Sequence, residues 1–282
     1  MEKENNTPNY RNYLNLDALL NAQKLISEKR GKTAHDEMLF IITHQVYELW
    51  FKQILFEIDS IFEVFHAKVI DESQVGIAVS RIHRINEIIQ LLIDQIKILE
   101  TMTPMDFLEF RDLLTPASGF QSGQFRQIEN KIGLRKDNRH VYGGKDYKTK
   151  VHQDDLNKVL ESEKSESLFT LIEKWLERTP FLASEDYNFW EQYKAAVSKM
   201  IFNDKKIIEE NDVLDDAEKE SYFNQYNATE KMFNSLFNES VFNKMIDEGQ
   251  FRLSYKATHA ALLILLYRDQ AILHNPYRLL SK

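Results

Sequence analysis

A chain of 282 residues with 43% apolar side chains has ample material for a core, and its 44 acidic against 36 basic residues give a formal charge of −8. That balance excludes sequence-independent nucleic-acid binding, which needs an excess of Lys and Arg to neutralise phosphates. No apolar run approaches the roughly 20 residues that span a bilayer, and the opening "MEKENNTPNY" lacks the apolar segment of a secretory leader.

The expected setting is therefore the cytoplasm, with small molecules or proteins as partners. With no cysteine there is no disulfide, thiolate nucleophile or Cys-ligated metal; eight histidines, the carboxylates or a prosthetic group would have to carry any metal chemistry. Eight glycines and five prolines are too few for the turns of a sandwich or barrel. The fold class expected is all-α: a helical bundle with a smaller peripheral helical subdomain.

In chain order, residues 1–16 read as an N-terminal arm. "DALLNAQKLISEK", residues 17–29, has apolar spacing of three and four and reads as one helix capped by Asp17. From Asp36 towards Phe65 there is no Gly or Pro and the sequence is apolar on most sides, which predicts a long helix central to the bundle. Residues 77–101 repeat Ile and Leu at helical spacing and predict a second. Thr103-Pro104 reads as an N-cap followed by proline at the first helical position, opening a short helix that stops near Pro116. "SGFQSGQFRQIENKIG" predicts another, with Ser118 as its cap and Gly133 as its stop. Residues 134–153, including Gly143-Gly144, read as a basic surface loop. The helical stretches from about 153 to 248 are poorer in apolar residues and read as peripheral, and "RLSYKATHAALLILLYRD" returns to the core, all within one domain.

His44 is the residue whose placement needs explaining, a titratable group in "HDEMLFIITHQVYELWFKQI". Phe40 and Tyr47 stand four before and three after it, so a helix puts an aromatic wall around an imidazole. Such a face could line a ligand cavity, or His44 could be a core histidine satisfied by a carbonyl. In "MTPMDFLEFRDLLTPASG", Phe107 and Arg111 are four apart; an Arg on an apolar face could clamp a carboxylate bidentately, or pair with Glu109 or Asp112 at the surface. Ser118 is more often a cap than a ligand contact. Motifs for zinc peptidases, NTPases, hydrolases and dinucleotide binding are missing. Glu87, Asp94 and Glu100 lack the Glu-x-x-His partner that a diiron bundle uses.

Four blocks together, "HDEMLFIITHQVYELWFKQI", "FRDLLTPASGFQSGQFRQIENKIG", "WLERTP" and "RLSYKATHAALLILLYRD", closely resemble the tryptophan 2,3-dioxygenase family, haem enzymes that open the indole ring of L-tryptophan. The resemblance runs from about Tyr10 to the last residue. It implies that His44 is the catalytic distal histidine, that Phe40 and Phe107 pack the indole, that Arg111 binds the substrate carboxylate, and that Ser118 lines the pocket. Tyr10 and Tyr13 resemble the tyrosines that reach into a neighbouring subunit's site, which implies a homo-oligomer, a tetramer. The implied activity takes L-tryptophan and O2 to N-formyl-L-kynurenine with haem as cofactor, the first step of tryptophan catabolism by the kynurenine route. The family's proximal haem histidine and its Gly-Thr-Gly-Gly loop have no counterpart here, and neither His259 nor His274 stands at the proximal position. The expectation from that difference is a C-terminally truncated member that binds haem weakly. Two rival readings are a non-catalytic helical oligomer keeping a tryptophan pocket, and a purely structural helical oligomer.

Overall fold

The computed structural model describes residues 8–67, 70, 72–134, 151–178 and 189–267. Among these residues every regular element is a helix. In order they are α1 (Tyr10–Tyr13), α2 (Leu16–Leu20), α3 (Ile26–Lys29), α4 (Glu37–His66), α5 (Glu72–Leu99), α6 (Pro104–Leu108), α7 (Arg111–Leu114), a 3-10 turn (Gly119–Gln121), α8 (Gly123–Ile132), α9 (Gln153–Lys164), α10 (Leu168–Glu177), α11 (Phe189–Glu209), α12 (Asp216–Ser235), α13 (Glu239–Asp247) and α14 (Tyr255–Tyr267). The chain divides into two compact units, residues 1–63 with 80–168, and residues 64–79 with 169–282.

The first unit is organised on α4 and α5. Ile54, Ile58 and Ile61 form a buried stripe on α4, and Ile85, Ile88 and Leu92 form one on α5, both at the three-and-four spacing of a helix face. The two helices run antiparallel. The Tyr47 hydroxyl donates to the Leu92 carbonyl at 2.5 Å, the Arg84 guanidinium to the Glu57 carboxylate at 2.6 Å, and Arg81 to the Ser60 carbonyl at 3.1 Å. Burial pushes the Tyr47 phenol above its ordinary value, so it stays a donor at neutral pH. Glu57 is almost wholly buried, and the paired Arg84 together with Gln53, 2.7 Å away, makes that charge tolerable.

Residues 17–29 do not form the single helix that their spacing predicts; α2 ends at Leu20 and α3 begins at Ile26. Asp17 pairs with Arg11 rather than capping, and α2 opens from Asn15 in the left-handed region, φ 50°. The break has a long-range cause. The buried Glu37 carboxylate accepts the backbone N–H groups of Ile26 at 2.7 Å and Ser27 at 2.9 Å, so α3 starts where an acceptor from α4 meets it.

α5 starts five residues before the predicted boundary and contains Gly76. A helical glycine costs about 1 kcal/mol relative to alanine, but Val75 and Ala78 are buried on either side of it and their packing outweighs that cost. The predicted short helix before Pro116 is instead two, α6 and α7, divided at Glu109 and Phe110. Thr103 begins α6 with a reciprocal capping box to Asp106, and Pro104 occupies its first turn. Gly133 ends α8 in the left-handed region, φ 87°. The basic stretch with Gly143-Gly144, and His274, lie outside the described residues.

In the second unit, Leu176 of α10 packs with Ala257, Ala260 and Ile264 of α14, flanked by Ile172, Trp175 and Leu253. Ser254 starts α14: its hydroxyl accepts the Ala257 N–H at 3.2 Å and donates to Glu177 at 2.6 Å. Lys205 of α11 pairs with Glu230 of α12 at 2.5 Å.

The close approach of α8 to α9 sets a stability test. A Cβ placed on Gly123 of α8 would lie 2.5 Å from the Asp155 Cβ of α9. Gly123→Ala should therefore destabilise the protein by about 1 to 3 kcal/mol through overpacking, read as a lower midpoint of urea unfolding; an unchanged midpoint would mean that α9 moves aside freely.

Candidate functional site

α4 carries Phe40 and His44 one turn apart, and their ring centroids are 4.2 Å from each other. The Phe107 ring of α6 stacks on Phe40 at 5.7 Å, and the buried Phe110 meets both edge-on, at 5.6 Å from Phe40 and 5.4 Å from Phe107. Four rings from two chain segments thus form one wall. Phe110 is fully buried and acts as its floor. Tyr47 is not part of that wall; its ring turns to Phe51, 6.0 Å away, and its hydroxyl to α5.

The two readings of His44 each hold for one ring nitrogen. Nδ1 lies 2.7 Å from the Phe40 carbonyl oxygen, and because a carbonyl only accepts, Nδ1 carries the hydrogen. In the neutral ring Nε2 is then an acceptor with no hydrogen-bond partner among the described residues. It faces Gly119, where an added Cβ would lie 3.9 Å from it. Glycine at that position keeps the side of the imidazole open, a contribution that spacing along the chain did not reveal.

Arg111 takes neither of its predicted surface partners: it is exposed and makes no ion pair or hydrogen bond among the described residues. Its guanidinium carbon lies 6.0 Å from the Phe107 ring centroid, which holds it beside the wall with its charge un-neutralised. Ser118 caps the 3-10 turn. Its Oγ accepts the Phe120 N–H at 3.4 Å, and its own N–H donates to the Gln121 side chain at 3.1 Å. The hydroxyl proton of Ser118 remains to be donated. Phe40, His44, Phe107, Arg111 and the Ser118-Gly119 turn therefore belong to one neighbourhood. Tyr10 and Tyr13 do not: they sit on α1, 76% and 79% exposed, and make no ring contact among the described residues.

α4 is held at its N-terminal end by Glu37, whose carboxylate is kept ionised below its ordinary value. Burial alone would raise it, but the hydrogen bonds from the Ser27 side chain and from the Ile26 and Ser27 backbone outweigh that effect.

No described helix is long and apolar enough to cross a membrane. Among the described residues no group of three His, Asp or Glu side chains is arranged to hold a metal ion. Glu87 and Asp94 stand in exposed pairs with His83 and Lys97.

The sequence model of the family described as "Tryptophan 2,3-dioxygenase" matches residues 1–282. The chain belongs to the tryptophan 2,3-dioxygenase family. It is 52% identical over 271 residues to the tryptophan 2,3-dioxygenase of Bdellovibrio bacteriovorus, an overlap of 96% of this chain and 76% of that protein. The Dictyostelium discoideum tryptophan 2,3-dioxygenase is 46% identical over 272 residues, 96% of this chain and 68% of its own length. That of Mus musculus is 42% identical over 273 residues, 96% and 67% of the two chains. Family membership makes the chain an oxidoreductase of the dioxygenase type, in tryptophan catabolism.

This is a haem-dependent family, so the histidines bear on how far the described residues fit a haem. The aromatic wall and the open Nε2 side of His44 suit the substrate-facing side of such a pocket. No described histidine suits the iron: His35, His66, His83 and His152 are exposed, and His259 is enclosed by Tyr255, Trp190 and Phe237, with ring centroids 4.3, 4.9 and 5.6 Å away. Nδ1 of His259 lies 2.9 Å from the Tyr255 carbonyl. Burial lowers its pKa, against the opposing pull of the Tyr255 and Leu236 backbone.

The Glu37 clamp gives a pH-dependent test. A depressed carboxylate stabilises the fold at pH above its unfolded value of about 4.3, and that contribution is lost as pH falls through the lower folded value. Glu37→Gln keeps one acceptor but turns an N–H donor on the other backbone N–H, so it should cost about 1 to 3 kcal/mol at pH 7. In urea unfolding the gap between wild type and variant should begin to narrow below about pH 4.3 and go on closing as pH falls through the lower folded value; a gap independent of pH would assign the loss to packing.

Proposed function

We propose that the protein converts L-tryptophan and O2 to N-formyl-L-kynurenine, the entry to tryptophan catabolism by the kynurenine route, with haem as its cofactor and as a homotetramer. The observation that carries this reading is the juxtaposition of an imidazole acceptor and a guanidinium, both without a hydrogen-bond or ion-pair partner at those atoms among the described residues, with an aromatic wall. L-Tryptophan has the complementary groups: an indole N–H, a flat apolar ring and a carboxylate. The reaction breaks the indole C2–C3 bond and adds both atoms of O2, an oxygen chemistry that haem supplies when bound.

The part of this chain's residues is recognition and orientation. His44 Nε2 accepts the indole N–H. Phe40 and Phe107 pack the ring, Arg111 clamps the carboxylate through paired N–H donors, and the Ser118 hydroxyl donates a further hydrogen bond. Anchoring the molecule at both ends fixes the direction in which C2 and C3 face, which is how positioning lowers a barrier. With its Nδ1 hydrogen on the Phe40 carbonyl, the neutral form of the His44 ring presents Nε2 as the acceptor.

Arg111→Leu should weaken L-tryptophan by about 1.5 to 3 kcal/mol, the usual scale of hydrogen bonds to a charged group, and tryptamine, which lacks the carboxylate, far less. Calorimetric titration with both ligands decides it: equal losses would exclude Arg111 as the clamp.

The exposed Tyr10 and Tyr13 support the oligomeric part of the proposal, since two aromatic side chains on a four-residue helix are left uncovered by their own chain. If they complete a neighbour's pocket, deleting residues 1–14 should lower tryptophan affinity and loosen the oligomer together, measured by titration and light scattering. An intact oligomer with unchanged affinity would place the arm in solvent.

A further inference from the structure

We infer that Gln124 is a positioning residue for His44, setting through Glu48 the gap between the imidazole Nε2 and the Gly119 backbone. Glu48 follows His44 by one turn on the same face of α4. Gln124 lies in the first turn of α8, five positions after Gly119. Its side-chain nitrogen donates to the Glu48 backbone oxygen at 2.9 Å and to the Glu48 carboxylate at 2.7 Å, so both amide hydrogens are committed to one residue of α4. Both side chains are half-buried.

The segment between the tether and the gap is stiff. Ser122 accepts the Phe125 N–H at 3.1 Å and closes the first turn of α8. Gln121 accepts from the Ser118 N–H at 3.1 Å and donates to the Pro116 carbonyl at 3.3 Å. A displacement of Gln124 away from Glu48 is therefore passed to Gly119 rather than absorbed. On the other side α4 is continuous through His44 and Glu48, so the two walls of the gap are joined by this pair of hydrogen bonds.

Other ties also join α8 to α4, at positions farther along α4 from His44. The Phe125 ring meets Phe51 at 5.4 Å, and Lys131 pairs with Asp59. They keep α8 in place when Gln124 is lost, so the consequence of losing it falls on the gap and not on the fold. Without a Cβ on Gly119 the imidazole edge stays open to a planar N–H donor that approaches Nε2 beside the glycine, and holding that backbone in place keeps it open, which makes Gln124 a determinant of indole recognition; this step rests on the function proposed above.

The test has two arms. In the ligand-free protein with 15N-labelled histidine, Gln124→Leu should leave His44 with its hydrogen on Nδ1 and move the Nε2 resonance as water enters; unchanged ring resonances would overturn the tether. In the second arm, L-tryptophan affinity is measured for wild type, Gln124→Leu, His44→Ala and the double variant. Gln124→Leu should weaken binding about tenfold, the scale of one impaired hydrogen bond, and add less than about twofold in the His44→Ala background. Equal losses in both backgrounds would make Gln124 a structural residue and contradict the inference. Should His44→Ala bind tryptophan as well as wild type, the functional reading fails, and the ring resonances alone decide the tether.

Discussion

The hydrogen bond from His44 Nδ1 to the Phe40 carbonyl is the constraint on which the rest of the site depends. It costs the helix little, because a carbonyl oxygen has two lone pairs and the second accepts without breaking the α-helical ladder. In return it fixes the rotation of the ring and its tautomer. A histidine that donated through Nε2 instead would meet an indole N–H donor to donor. The same bond also ties the imidazole to Phe40, so the acceptor and the aromatic face against which a ligand would lie move as one body.

That pair requires a long rigid support, and α4 provides it. It runs unbroken from Glu37 to His66, and Tyr47, Glu57 and Ser60 attach it to α5 at three levels. The opposite wall is built differently. α6, α7 and the 3-10 turn are too short to hold themselves by propagation of helical hydrogen bonds; α6 and the 3-10 turn are held by side chains at their starts, Thr103 with Asp106 and Ser118 with Gln121, while α7 follows the buried Phe110 without a side-chain cap. Residues that look ornamental in the sequence are thus the ones that give Phe107 and Gly119 fixed places.

The long elements were legible because their signals are local. Absence of Gly and Pro over α4, the Thr103-Pro104 start of α6 and the Gly133 stop of α8 each act through the residue's own backbone or its immediate neighbours. What periodicity could not disclose acts across the chain. Ile26 and Ser27 begin α3 because Glu37 reaches back to them, and α5 tolerates Gly76 because Val75 and Ala78 find a buried place. At the site, Phe40, His44, Phe107 and Arg111 were named from the aromatic spacing and the resemblance. Gly119 and Gln124 were not, since one matters through an atom it lacks and the other through a partner 76 residues away.

The most direct measurement is a crystal structure of the protein with L-tryptophan. The account predicts the indole nitrogen about 3 Å from His44 Nε2, the ring against Phe40 and Phe107, and the carboxylate on the Arg111 guanidinium. An indole nitrogen turned away from His44, or tryptophan seated at another place in the fold with this gap empty, would contradict it.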